Sequence, residues 1–99
     1  MAQDEVLNIA KEYADAVRSI MQTSGVFLYG SYAKGTATAD SDIDIAVVVD
    51  QIPGDYLNIV SKLWSLTRNV SQEIEPVLLT AADNQSGFLQ TVKRTGIAV

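Results

Sequence analysis

The sequence predicts a small α/β domain in which three or four β-strands alternate with about four helices. Apolar residues recur at steps of three and four, the helical period, over residues 4 to about 21, 56 to about 69 and 88–92. Strand-sized apolar runs, rich in β-branched residues, separate them at residues 26–29, 42–49 and 73–80. Neither a repeat nor a linker interrupts the 99 residues, so a single domain over 1–99 is expected. A domain of this length buries somewhat over ~60% of the surface its unfolded chain exposes, enough for one core without staples.

The first helix carries Val6, Ile9, Tyr13, Val17, Ile20 and Met21 as its apolar stripe, with Ala10, Ala14 and Ala16 between them. Asp4 and Glu5 suit the positive end of its dipole, and Thr23-Ser24-Gly25 ends it. Tyr13 reads as a core or rim residue. Residues 26–29 form a buried strand by their length and neighbouring glycines. Gly30-Ser31 then opens a helix of one or two turns through Tyr32, Ala33 and Lys34, closed by Gly35, and residues 36–41 make a small polar connection to the second strand.

Beyond that strand, Ile52-Pro53-Gly54 marks a break and Asp55 caps a helix with Tyr56, Ile59, Val60, Leu63, Trp64 and Thr67 at helical spacing. No aromatic cluster surrounds Trp64, which places it in the core rather than on a stacking platform. Pro76 cannot donate to a ladder and marks the third strand as an edge, or places itself early in it. Asp83-Asn84-Gln85-Ser86 start the last helix, with Phe88, Leu89 and Val92 as its apolar stripe, Lys93 and Arg94 near its end and Gly96 as its stop. Residues 97–99 add a little packing.

The chain is organised around GSYAKGTATADSDID, residues 30–44. Side chains alternate along a strand, so Asp42 and Asp44 share one face while Ile43, Ile45, Val47 and Val49 share the other. Two like charges on one face of a strand are unfavourable alone, and a divalent cation removes the conflict. Mg²⁺ takes oxygen ligands and usually binds through one or two carboxylates plus substrate phosphates. A glycine where strand turns into helix lets the backbone approach a phosphate, and the first helical N–H groups attract anions. Each piece has an ordinary explanation, a solvated turn or a helix cap; together they favour metal and phosphate. Lys34 lies in the same turn, where phosphate contact and simple solvation are equally open. Glu75 shares its strand face with Val77 and Leu79: either an exposed edge charge that discourages aggregation or a third carboxylate facing Asp42 and Asp44. Glu73 has the same parity and is the alternative.

Composition narrows the chemistry. With no cysteine and no histidine, disulfides, thiolate zinc sites, a cysteine nucleophile and a Ser-His-Asp triad are excluded, and carboxylates are the remaining metal ligands. A net charge of -5 argues against a protein that grips nucleic acid by its phosphates. The apolar runs are strand-sized and MAQDEV has no signal-peptide core, so a cytoplasmic location is expected.

Gly30-Ser31, ten intervening residues and Asp42-Ile43-Asp44 together resemble the signature of the DNA polymerase beta-like nucleotidyltransferase superfamily, and nearly the whole chain is similar to its smallest branch, the minimal nucleotidyltransferases (MNT proteins). The resemblance implies that family's small mixed sheet packed by helices. It also implies transfer of AMP from ATP to a hydroxyl, with Asp42 and Asp44 bridging two Mg²⁺ ions, or Mn²⁺, ~3.5 to 4 Å apart. Glu75, in the place of the family's third acid, would ligate the catalytic ion and accept the proton; Gly30 and Ser31 would hold the β- and γ-phosphates. The family's third acid is commonly aspartate, and many members carry arginine where this chain has Lys34, which cannot grip phosphate bidentately. Larger members add an acceptor domain for which this chain has no residues, so the acceptor is expected on another molecule. MNT proteins typically pair with helical HEPN toxins as antitoxins, in some cases adding AMP to a toxin tyrosine, and a homo- or hetero-oligomer fits that expectation. The alternatives are a nucleotide-binding antitoxin that neutralises its partner by stoichiometric binding, and a transferase acting on a small molecule.

Overall fold

The computed structural model describes residues 2–83 and 87–99. The elements run α1 (Gln3–Arg18), β1 (Gly25–Tyr29), α2 (Ser31–Lys34), β2 (Ile43–Val49), α3 (Tyr56–Thr67), β3 (Ile74–Thr80), a 3₁₀ turn (Ala81–Asp83), α4 (Phe88–Thr95) and β4 (Ile97–Ala98). The expected α/β alternation is present, with four strands and four helices among the described residues. Asn84, Gln85 and Ser86, expected to start the last helix, lie outside them.

The strands form one mixed sheet in the order β3-β2-β1-β4. β1 runs antiparallel to β2 and β4, while β2 and β3 are parallel. Parallel neighbours need a crossover, and α3 supplies it. β3 lies at the sheet's margin, as Pro76 requires of a residue that lacks an N–H. At the other margin β4 pairs Ala98 with Phe27 and Ile97 with Leu28, a strand where the sequence indicated only packing. The Val99 N–H donates to the Val26 carbonyl at 2.9 Å, and the Arg18 guanidinium donates to the Val99 oxygen at 2.9 Å, so α1 holds the tail against β1.

The sheet's two faces differ. On one, Val26, Leu28, Ile43, Ile45, Val47, Val49, Ile74 and Leu78 pack against Val6, Ala10, Tyr13, Ala14 and Val17 of α1 and Ile59 and Leu63 of α3. Tyr13 joins the two helices by donating its hydroxyl to the Leu63 carbonyl at 2.6 Å, and burial pushes its phenol well above the ordinary range. On the other face, α4 lies beside β1, where Phe88 meets Tyr29 edge to face with ring centroids 5.5 Å apart.

Two expectations are corrected. α1 stops at Arg18 rather than near Met21, because the Ser19 hydroxyl donates to the Ala16 carbonyl at 2.6 Å and the chain turns there, leaving Ile20 exposed. Trp64 is not a core residue: α3 buries Ile59, Leu63 and Thr67, and Trp64 falls on the far side at 45% exposure.

Candidate functional site

The acids occupy the face opposite α1 and α3. Asp44 is the cross-strand partner of Tyr29 on β1 and of Glu75 on β3, and residues so paired project to the same side. Ile43 points into the core and is fully buried, which turns Asp44 to the other side; the strand begins at Ile43 rather than at Asp42, so Asp42 lies in the connection just ahead of it. The Ile43 N–H donates to the Glu73 carbonyl at 2.8 Å, fixing the register that sets Asp44 beside Glu75. The Glu73 side chain instead accepts from the Ser71 hydroxyl at 3.3 Å, ahead of the strand.

Gly30 is required twice over. Its φ of 76° lies in the left-handed region that a side chain disfavours, and a Cβ there would run into the Asp44 carboxylate. The turn at the end of β1 therefore lies directly against the second acid. α2 is one helical turn, closed by Gly35, with the Lys34 N–H donating to the Gly30 carbonyl at 3.1 Å. It is anchored through Tyr32, which is buried and whose carbonyl accepts from the Gln3 side-chain amide of α1 at 3.2 Å. Ser31 is half-buried at the start of this turn, whereas the Lys34 side chain is exposed.

The connection to β2 is ordered by hydroxyls that sequence reasoning passed over. Thr38 N–H donates to Ser41 Oγ at 2.9 Å, and Ser41 N–H donates to the Thr38 carbonyl at 3.1 Å. Two hydroxyl residues three apart in a small polar stretch were the available signal for this turn, which delivers the chain to Asp42.

Burial raises the Asp44 carboxyl above its ordinary range, and the charges of Glu75 and Asp42 raise it further. Tyr29 is raised as well, first by burial and then by Asp44 and Glu75. Three carboxylates thus act on one point of the sheet. Among the described residues no three acids lie close enough together to hold a metal ion; Asp42 and Glu75 are exposed and Asp44 is half-buried. The donor set is all hard oxygen and suits Mg²⁺ or Mn²⁺ rather than a softer metal. Two concavities, one beside Arg18 and Asp50 and one between Tyr56, Leu79 and Phe88, are lined by neither Gly30, Ser31, Asp42, Asp44 nor Glu75.

A family model described as Polymerase beta, Nucleotidyltransferase matches residues 4–99. The chain belongs to that nucleotidyltransferase family. This nucleotidyltransferase is 33% identical over 102 residues to a Methanocaldococcus jannaschii protein provisionally named protein adenylyltransferase MJ0141, covering 96% of the chain and 99% of the relative. It is similar to a provisionally assigned nucleotidyltransferase from Sulfolobus solfataricus solved at 1.40 Å, with a TM-score of 0.69 and 25% identity over 97% of this chain and 80% of that one. A toxin-antitoxin crystallised with AMP-PNP shares the fold, with a TM-score of 0.52 and 22% identity over 99% of this chain and 72% of that one. A mutant of the toxin-antitoxin MntA-HpeT does so at a TM-score of 0.53 and 20% identity, with the same coverage of 99% and 72%.

Proposed function

We propose that this nucleotidyltransferase moves AMP from ATP to a hydroxyl of a partner protein, most simply a tyrosine of a HEPN toxin for which it is the antitoxin. The observation that carries the reading is the pairing of Asp44 with Glu75 across β2 and β3, directly beside the Gly30 turn. The protein adenylyltransferase name of the archaeal relative supports the reaction class, and the toxin-antitoxin neighbours, one with AMP-PNP, support the partner.

Gly30 and Ser31 would hold the β- and γ-phosphates with backbone N–H groups and the serine hydroxyl. Lys34, exposed one turn on, would add a point charge to the same phosphates. Asp42, Asp44 and Glu75 would hold Mg²⁺, which when bound neutralises the triphosphate and stabilises the attacking and leaving oxygens of an in-line displacement. Glu75 is exposed at the sheet's margin, facing an incoming acceptor, and would take its proton. The acceptor oxygen bonds to the α-phosphorus, the bond from that phosphorus to the bridging oxygen breaks, and pyrophosphate leaves with the electron pair.

Co-expression with a HEPN partner, followed by incubation with MgATP and intact-mass measurement, tests the reading. A gain of one AMP on a partner tyrosine, lost with Asp42→Asn and Asp44→Asn together, is expected. Full neutralisation of the partner by that double variant overturns catalysis as the means of inhibition. Pyrophosphate release with a metabolite and no protein acceptor overturns the protein-directed reading.

A further inference from the structure

Where α3 and α4 both reach the end of β3, the fold leaves a cleft of about 270 Å³ that the chemistry above does not use. Leu79, which shares its strand face with Glu75, lies on one side of it. Tyr56, the first residue of α3, and Phe88 and Leu89, the first two of α4, supply the others. Tyr56 is 49% exposed and Phe88 37% exposed, so both rings offer surface to a ligand. The chain carries a net charge of -5, yet among the described residues no charged side chain lines this cleft. A small apolar cleft between two aromatic rings suits one flat, uncharged ring system; it is too small for a helix and lacks the cations a phosphate needs.

Its position relative to the acids selects the ring. Tyr29, Asp44 and Glu75 form one cross-strand row, and Gly25, Val48 and Leu79 form another, four residues further along β2 and β3 and about 13 Å away. Phe88 bridges part of that interval, because its ring meets Tyr29 edge to face at 5.5 Å and also lines the cleft. The in-line displacement sets an axis across the strands, with pyrophosphate leaving on the Gly30 side, at the end of β1, and the acceptor arriving on the Glu75 side, at β3. The ribose oxygen is a further substituent of the α-phosphorus and lies off that axis, so the nucleoside runs to the side of it. Followed along the strands toward Leu79, that direction leads past Phe88 into the cleft.

We infer that the cleft between Tyr56 and Phe88 holds the purine base of the donor nucleotide, stacked against the two rings. This rests on the reading that the Gly30 turn and the acids hold a metal-bound triphosphate, and it divides the nucleotide between two grips: charge and backbone for the phosphates, aromatic surface for the base. Stacking rewards the larger π-surface, so a purine is preferred to a pyrimidine.

Calorimetric titration of the full chain with MgATP, MgCTP and magnesium tripolyphosphate separates the two grips. Wild type should bind MgATP most tightly and tripolyphosphate most weakly. Tyr56→Ala and Phe88→Ala should each weaken MgATP at least about fivefold, the lower end of what one stacked base contributes, and leave tripolyphosphate unchanged. A fluorescent purine triphosphate whose emission stacking quenches should dim on wild type and stay bright on the double variant. Tyr56 is exposed at a helix start, so its variant keeps the comparison valid if Phe88→Ala disturbs the packing on Tyr29, which far-UV circular dichroism checks. MgATP or MgCTP binding no differently from tripolyphosphate, or variants that weaken all three ligands alike, would overturn the base assignment and leave the phosphate site standing. Unchanged MgATP binding with a raised KM for a protein acceptor gives the cleft to the acceptor and also overturns it. Failure of wild type to bind any of the three overturns the phosphate site and this inference together, whereas the expected pattern in a chain that transfers nothing supports the base cleft while the transfer reading falls.

Discussion

Gly30 and Gly35 share a φ of 76° and make a paired test of what the turn is for. Gly35, at ψ 18°, is in the left-handed helical region, where alanine costs about 1 kcal/mol, whereas Gly30, at ψ -149°, is in a region kept almost wholly for glycine, where alanine costs about 1–3 kcal/mol. At Gly35 the new Cβ meets nothing within 4 Å, whereas at Gly30 it meets the Asp44 carboxylate. Gly35→Ala should therefore lower the melting temperature by a few degrees and leave AMP transfer nearly intact, while Gly30→Ala loses transfer by two orders of magnitude or more in a pyrophosphate-release assay. Asp44 itself gives a pH signature. Its carboxyl titrates above its ordinary range in the folded chain, so the fold prefers the protonated form. The stability this group contributes is present below its unfolded pKa and is lost as pH rises through the higher, folded one. Asp44→Asn without metal should therefore melt higher than wild type at pH 7, and the difference should vanish at about pH 3, below the ordinary carboxylate range. Tyr13→Phe removes only the bond to Leu63; a loss of about 1 kcal/mol in denaturant unfolding with transfer unchanged is expected.

At the level of elements, β2 was the most legible because of its period of two: with Ile43 inward, Asp44 takes the outward side, while Asp42 lies one residue ahead of the strand. Pro76 declared its strand marginal for an equally local reason. The pairing of Asp44 with Glu75 needed more, since parallel register depends on where α3 delivers the chain, and nothing local distinguishes Glu75 from Glu73. α3 misled because it is apolar nearly all round: Tyr56, Leu57, Ile59, Val60, Leu63, Trp64 and Leu66 leave the sheet-facing line undecided until Tyr13 binds at Leu63. β4 has two residues, too few for any pattern. The Thr38 and Ser41 turn is legible only as spacing, and its consequence is testable. Ser41→Ala frees the segment carrying Asp42; kcat/KM for transfer should fall several-fold, in line with the ~1 kcal/mol a hydrogen bond is worth, with little change in melting temperature.

The whole molecule is acidic, and the charges of Glu75 and Asp42 bear on the half-buried Asp44. A ligand bringing divalent cations relieves that repulsion and binds only the folded state, so MgATP should raise the melting temperature where ATP with EDTA does not, and Asp42→Asn with Asp44→Asn should erase the gain. Among the described residues no helix is long and apolar enough to cross a membrane. The margins of the sheet are β3 and β4. One margin is blunted by Pro76. The other is covered by residues 97–99, paired with β1 and tied to α1 by the Arg18 guanidinium. Clipping residues 97–99, or replacing Arg18 with alanine so that the strap works loose, would bare the outer rung of Val26, Phe27 and Leu28, an adhesive ribbon on which further copies could zip, and light scattering on the clipped chain would register the change long before circular dichroism did.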